Sequence, residues 1–311
     1  MVETHLVTGA FGYSGSYIAR RLLDAGHAVR TLTNSSDRAG ELRGRIAAFP
    51  LDFDDEAGLA RALDGVDVLY NTYWVRFSKA GFSQSRAVEN AQRLFAAARR
   101  ANVGRVVHLS VLNPSPKSPW EYYRGKARME EALRATGLPH SILRPAVLFG
   151  GPDVLINNIA WMLRRFPVFA IFGSGEYRVQ PIHVEDLADL AVAEGRERGD
   201  RLIDAIGPET YAYRDLVAEI GRAIGHARPL ISVPRPVGRL VGGALGAALR
   251  DVVITDEEIG ALMDGLLAAD SQPVGKTRLS SWMRAHPDEL GTRYASELER
   301  RRDRKRAYAE L

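Results

Sequence analysis

The chain has no cysteine. Disulfides, thiolate catalysis and cysteine-ligated metal are therefore excluded. Lysine is scarce: of 42 basic residues, 5 are Lys and 37 are Arg. Long hydrophobic runs are also missing. The longest apolar window, "LVGGALGAAL" at Leu240–Leu249, is too short to span a bilayer and reads as a buried or interfacial helix. Val2 to Gly9 carry no basic start followed by a long apolar run, so no signal peptide and a cytoplasmic location are expected. No strong charge bias exists either. A net charge of +4 over 311 residues does not call for a polyanionic partner. The tail "ERRRDRKRAYAEL" reads as a solvated helix end with scattered acids, so no nucleic-acid partner is expected. The seven histidines show no His-x-x-x-His pair and no adjacent acid pattern, so no metal site is expected.

What is present is an alternation of short apolar runs with helical periods. Strands are expected at His5–Thr8, Ala28–Leu32, Ile46–Leu51, Val68–Asn71, Arg105–Ser110 and Ser141–Leu143. Helical stretches lie at Tyr17–Ala25, Leu59–Leu63, Ala87–Ala101 and Glu121–Ala135. Strand–helix–strand alternation with short connections implies a parallel sheet covered on both faces. The fold class is therefore α/β: a Rossmann-type doubly wound parallel sheet with a smaller, mostly helical C-terminal lobe. The rhythm changes after Arg144-Pro145. Residues 1–150 plus about 181–206 are assigned to the sheet domain, and about 151–180 plus 207–311 to the smaller lobe. Within that lobe Thr255-x-x-Glu258 has the spacing of a capping box.

"HLVTGAFGYSGSYIARRLL" is the most informative stretch. Gly9, Gly12 and Gly15 lie three apart, after the first strand and at the start of a helix. Glycine permits the tight turn and close approach of backbone to a diphosphate, and the helix N-terminus supplies unpaired N–H groups. The surrounding strand–turn–helix–strand context makes the triplet specific. An acid at the end of the second strand would accept from the ribose hydroxyls of NAD. Here Thr33 and Asn34 stand in its place, with Arg38 close behind, which favours NADP(H) over NAD(H). Asp52, ending the third strand, is either an acceptor for an adenine amino group or a turn residue.

"SPWEYYRGK" supplies the chemistry. Ser118 as N-cap, Pro119 at the first position and Glu121 at the third start a helix. Tyr122 and Lys126 then lie one turn apart on one face. A phenol, with a pKa of about 10, transfers its proton more easily when an ammonium is close. Such a pair can donate to, or accept from, a carbonyl or alcohol oxygen while hydride moves at carbon. In a chain this poor in lysine, a Lys at that spacing is the more telling, since the flexible point donor is not replaced by a planar fork. Tyr123 is also in reach of Lys126, and helix geometry does not choose between the two tyrosines. The alternative is an amphipathic helix with a packed Tyr and a surface Lys.

"TGAFGYSG", "VDVLYNT", "NAQRLFAAARRANVGRVVHLS", Tyr122-x-x-x-Lys126, "LRPAVLFG" and "QPIHVEDLA" occur in that order. Together they resemble the extended and atypical branches of the short-chain dehydrogenase/reductase superfamily, over about residues 3–195. Within it the chain is similar to epimerase/dehydratase-like proteins, to the accessory NADPH-binding subunit of respiratory complex I and, more distantly, to NmrA-like proteins. The resemblance implies roles by position. Gly9, Gly12 and Gly15, with Phe11 and Tyr13 in the same turn, would hold the diphosphate. Asp52 and Phe53 would lie at the adenine. Asn71, Thr72 and Tyr73 would line the ribose and nicotinamide side, and Pro145, Ala146 and Val147 would pack near the nicotinamide. It selects Tyr122 as acid/base, with Lys126 also bonding the ribose. A Ser or Thr normally stands just beyond the fifth strand. Here Ser110 comes one residue early, Val111 occupies the usual place, and Asn113 and Ser115 are substitutes.

Trp74, Trp161, Tyr177, Arg178 and His183 are candidates for a substrate cleft, or else packing residues. Two functions are expected. One is an NADP(H)-dependent oxidoreductase or epimerase-like enzyme acting on a small carbonyl or alcohol. The other is a non-catalytic NADPH-binding structural or sensor protein. Helices of this superfamily often pair, which leaves a homo-oligomer open.

Overall fold

The computed structural model describes residues 2–78 and 83–308. The chain alternates through β1 (Thr4–Thr8), α1 (Tyr13–Asp24), β2 (Ala28–Thr33), a 3-10 turn at Ser36–Leu42, β3 (Ala47–Pro50), α2 (Glu56–Leu63), β4 (Val68–Asn71), α3 (Gln84–Arg100), β5 (Arg105–Leu109), α4 (Glu121–Ala135) and β6 (His140–Pro145). It continues through β7 (Val147–Phe149), α5 (Leu155–Arg165), β8 (Phe169–Phe172), β9 (Arg178–Val179), β10 (Pro181–His183), α6 (Val184–Glu194) and β11 (Arg201–Ala205). The remainder is β12 (Tyr211–Ala212), α7 (Tyr213–Ala223), β13 (Leu230–Val233), α8 (Arg235–Leu249), α9 (Asp256–Met263), α10 (Leu279–Ala285) and α11 (Glu297–Arg302).

Two compact units result. The first comprises residues 2–145, Leu187–Asp204 and Arg304–Tyr308. Its seven-stranded sheet has the order β11-β6-β5-β4-β1-β2-β3, with the pairs from β3 through to β6 all parallel. This is the expected Rossmann-type doubly wound sheet. The order reverses beside β1, whose neighbours are β2 and β4, and such a switch point is where these sheets take ligands. Every residue of β4 and β5 is buried, as parallel strands covered on both faces require. Leu6, Leu69 and Val106 pack against Leu63, Leu94 and Leu133 of α2, α3 and α4. Each such fully buried side chain is worth about 1.5–3 kcal/mol.

Helix starts explain most displacements from the expected boundaries. α1 begins at Tyr13 rather than Tyr17, because the glycine turn ends at Gly12, the N-cap. α2 is capped by the Asp55 carboxylate, which accepts from Gly58 N–H at 2.8 Å. α3 is capped by Ser83 Oγ, which accepts from Arg86 N–H. α4 differs: its N-cap is Trp120, not Ser118. Ser118 Oγ accepts instead from Trp120 N–H at 3.2 Å, closing a local turn before the helix. Pro119 therefore precedes the helix rather than occupying its first position.

The second unit comprises Ala146–Asp186 and Ala205–Asp303. It is mostly helical, with three short strand pairs, β7 with β10, β9 with β12 and β8 with β13. Its core gathers Phe149, Ile159, Ile171, Leu216, Ile220 and Met283. α9 starts with the expected capping box: Thr255 Oγ1 accepts from Glu258 N–H, and Glu258 accepts from Thr255 N–H. α8, which carries "LVGGALGAAL", is not a buried helix: Val237, Leu240 and Val241 are exposed. Among the described residues no helix is long and apolar enough to cross a membrane.

Candidate dinucleotide and proton-transfer site

The turn after β1 is built around glycine. Gly9 has φ +66°, a left-handed conformation that glycine adopts without strain, and its carbonyl accepts from Gly12 N–H at 2.8 Å. A Cβ on Gly15 would collide with the Gly9 carbonyl oxygen and carbon. The first turn of α1 thus lies directly on the turn that feeds it. No side chain caps α1, and no acid stands in its first turn, so the N-terminal N–H groups keep their partial positive charge. Phe11 is buried. Tyr13 stacks on Tyr308 of the C-terminal segment, with centroids 6.1 Å apart. Nothing in the basic tail's composition signalled that contact.

The ends of β1 and β4 are clamped together. Thr8 Oγ1 accepts from Thr72 N–H at 2.8 Å and from Tyr73 N–H at 3.1 Å. Thr72 Oγ1 donates to the Thr8 carbonyl. Asn71 is fully buried, and its amide serves this clamp: Oδ1 accepts from Thr8 Oγ1 and Tyr73 N–H, while Nδ2 lies 3.1 Å from His108 Nδ1. Burial, with Lys126 second, holds the His108 imidazole well below its ordinary pKa, so it stays neutral and its Nδ1 accepts from Asn71. Tyr73 packs on Phe53 at 4.7 Å between centroids and accepts from Asn90. Asp52 is exposed and makes a local turn, accepting from Asp54 N–H at 2.9 Å.

At the end of β2, Thr33 Oγ1 accepts from Ser35 N–H. Asn34 pairs with the Leu51 backbone in both directions and so extends the β2–β3 edge. Both side chains thus have local partners. Arg38, half-buried in the next turn, is the cationic group beside this strand end.

Lys126 is the most unusual group in the unit. It is 3% exposed, its Nζ donates to the Leu109 carbonyl at 2.8 Å, and it lies 4.8 Å from the centroid of the Trp74 ring. Burial pushes its pKa down to about 7, against a smaller opposing pull from Glu130. The surface-lysine alternative is thereby removed. The same indole meets the Tyr122 ring edge-on, with centroids 5.4 Å apart. Tyr122 is half-buried and Tyr123 buried. Gly125 makes the approach feasible, because a Cβ there would stand 2.7 Å from Trp74 Cη2. Trp74 was foreseen as a cleft residue; its contacts with both members of the pair were not, although the glycine beside Lys126 was the available signal.

Ser110 is 4% exposed, and its hydroxyl donates to Glu130 Oε1 at 2.6 Å. Glu130, itself 1% exposed, accepts two bonds from Arg144 at 2.9 and 2.7 Å and one from Arg134 at 3.1 Å. Burial alone would raise its pKa, but these bonds together hold it below the ordinary value. Val111 is buried, and Asn113 is exposed with φ +53°. Pro145, at the end of β6, accepts from Leu112 N–H.

In the second unit, Val147 and Trp161 belong to buried packing, and Trp161 lies edge-on to Tyr294 under Arg165. Tyr177 stacks on Tyr213 and donates to the Phe172 carbonyl. Arg178 is exposed and pairs with Asp270 at 2.8 Å. His183 sits between the Phe149 and Trp282 rings, and its Nδ1 accepts from Glu185 N–H at 3.3 Å.

The family model described as NAD(P)H-binding matches residues 9–160. The 40 kDa subunit of mitochondrial NADH-ubiquinone oxidoreductase from Neurospora crassa is 26% identical over 265 residues, 83% of this chain and 70% of the subunit. Ceramide reductase from Caulobacter vibrioides is 27% identical over 265 residues, 82% of this chain and 80% of the reductase. The chain spans about two thirds of the length of the first curated relatives it matches. The crystal structure of Citrobacter sp. triphenylmethane reductase complexed with NADP(H) shares the fold, with a TM-score of 0.74 and 18% identity over 91% of this chain and 99% of that one. With its glycine turn, switch-point sheet and ordered motifs, the chain is similar to NAD(P)H-binding oxidoreductase- and epimerase-like proteins of the extended short-chain dehydrogenase/reductase kind.

Proposed function

We propose that the protein is an NADP(H)-dependent reductase or dehydrogenase of a small carbonyl or alcohol, with Tyr122 as proton donor and acceptor and Lys126 as its assistant. The observation that carries this reading is a buried lysine, its pKa brought down to about 7, sharing the Trp74 indole with Tyr122. A dinucleotide fits the residues present: Gly15 leaves open the space a Cβ would fill, and the uncapped start of α1 offers N–H groups to a diphosphate. When bound, the nicotinamide supplies or takes the hydride.

The chain's own residues do the rest. Tyr122 gives its phenolic proton to a carbonyl oxygen, or takes one from an alcohol. Lys126, close to neutrality in its own titration, stabilises the phenolate by charge and returns the proton. Trp74 fixes both side chains from one side. Arg38 would pair with a 2′-phosphate, which favours NADPH. Ser110, committed to Glu130, holds α4 against β5 rather than orienting substrate. Phenylalanine at 122 should abolish turnover while NADPH binding stays within about threefold of wild type, a shift under 1 kcal/mol. Unchanged turnover would sink the assignment. Arg38→Ala should weaken NADPH by about tenfold and leave NADH unaffected.

A second reading has one observation in its favour. Val111 stands where a Ser or Thr would orient the substrate, and the hydroxyl of the neighbouring Ser110 already donates to Glu130. On that reading the chain holds NADPH without turnover, as a structural or sensing ligand. Tight NADPH binding with no carbonyl reduction across a broad substrate screen would decide for it.

A further inference from the structure

A second cluster lies at the other end of the sheet, at the amino ends of β1 and β2. Glu3 immediately precedes β1, and His5 is its second residue. His27 immediately precedes β2. In sequence the second histidine is 22 positions from the first, far outside the spacing of a local metal-binding pair such as His-x-x-x-His. Parallel pairing removes that distance. Thr4 stands opposite Ala28, and Ala28 N–H donates to the Glu3 carbonyl, so Glu3 and His27 face each other.

We infer that Glu3, His5 and His27 form a binding site for a zinc-class divalent cation. One ligand atom from each residue lies within 4.8 Å of the others. Glu3 Oε2 is 3.3 Å from His5 Nε2 and 3.9 Å from His27 Nδ1. Ligands about 2.0–2.2 Å from a tetrahedral ion stand roughly 3.3–3.6 Å from one another, so small side-chain motions close the set.

Three features favour a cation over a simple ion pair. His5 is 2% exposed, its Nδ1 has no partner, and its Nε2 meets only the Glu3 carboxylate at a long 3.3 Å, which leaves a buried polar side chain poorly satisfied. His27 Nδ1 accepts from Glu3 N–H at a long 3.4 Å, which fixes the tautomer with an unprotonated Nδ1, and a cation would take that lone pair in place of the weak bond. Glu3 supplies one negative charge, and Asp67, which accepts from Thr4 N–H, stands near enough to add a second. Glu3 is exposed, so water completes the coordination. The five residues of β1 separate this site from the glycine turn by about 15 Å. Its role is structural, pinning the start of β1 to that of β2.

The test uses the full chain without an affinity tag, stripped by chelator and titrated with zinc chloride, with magnesium as control. One zinc per chain and a raised melting temperature are expected, with no response to magnesium. Glu3→Gln and His27→Gln alter side chains at the edge of the cluster, and their zinc-free melting temperatures should match wild type. Each should weaken zinc by more than the roughly tenfold that loss of an outer-shell partner costs. No saturable zinc binding would overturn the site. So would unchanged affinity in either variant.

Discussion

Ser110 donates its hydroxyl to Glu130 at 2.6 Å, from the end of β5 to the middle of α4. The bond joins a cluster in which a buried carboxylate is neutralised by Arg144 and Arg134. Ser110→Ala should therefore act on stability. A hydrogen bond to a charged group is worth about 1.5–3 kcal/mol, and that loss should appear in a denaturant midpoint while kcat changes by less than about threefold. Glu130→Gln should cost more, about 3 kcal/mol or above, because Arg144 loses its counter-charge. The sign with pH follows from the lowered pKa of Glu130. Its contribution is complete above the unfolded value of 4.5 and is lost as pH falls through the lower folded value. The difference between wild type and Glu130→Gln should shrink in acid.

Lys126 carries the opposite sign. Its folded pKa of about 7 lies below the unfolded 10.5. Between these values the unfolded chain binds more protons, so this residue makes stability rise with pH. Below pH 7 the buried ammonium imposes its full cost. Lys126→Met, which keeps the length and removes the charge, should melt higher than wild type at pH 6, and the gap should close as pH approaches 10. Melting curves across that range check it. A gap that widened with pH would show the ammonium to be a net stabiliser.

Trp74 meets Lys126 with its face and Tyr122 in a T-shaped contact. A cation over an indole is worth about 0.5–2 kcal/mol, and an aromatic pair about 0.5–1.5 kcal/mol. Replacing Trp74 by Leu removes both and should lower kcat by about tenfold, equivalent to about 1.4 kcal/mol. NADPH affinity should hold, since the indole packs on Tyr122 and Lys126 rather than on the glycine turn. Phe, which retains a ring face, should recover most of the rate. Equal losses in Leu and Phe would mean that shape alone matters at this position.

The sheet was legible because its strands are short apolar runs punctuated by glycine, and each expected strand from β1 to β6 is present. Spacing put Lys126 one turn from Tyr122 and also within reach of Tyr123, and only the family resemblance chose Tyr122. What spacing could not show was burial. That Lys126 lies inside, against Trp74, depends on Trp74, three residues after β4, packing on α4, and only Gly125 hinted at it. Nor could local pattern show side chains joined across strands. The Thr8–Asn71–His108 clamp, the Ser110–Glu130–Arg144 cluster and the Glu3–His5–His27 group each draw members from elements far apart in sequence. The start of α4 was misplaced for a related reason: Ser118 has a cap residue's chemistry, but its oxygen was taken by the nearer Trp120 N–H.

Gly15 offers the sharpest test of the phosphate turn. Its helical backbone is unstrained, so alanine would normally be favourable within a helix. Here the added methyl would meet the Gly9 carbonyl, which is backbone and cannot rotate aside. Either α1 moves away from the turn or Gly9 leaves its conformation, and both shift the N–H groups proposed to hold a diphosphate. Gly15→Ala should cost about 1–3 kcal/mol of stability, in the range of other overpacked sites. Its NADPH affinity should fall by more than that of Gly26→Ala. A Cβ at Gly26 meets nothing within 4 Å, and its φ of +81° makes alanine there a matched control for backbone strain alone. Fluorescence titration of both variants at equal folded fraction separates the two effects: a common loss would trace the defect to stability, and a loss confined to Gly15→Ala to the cradle.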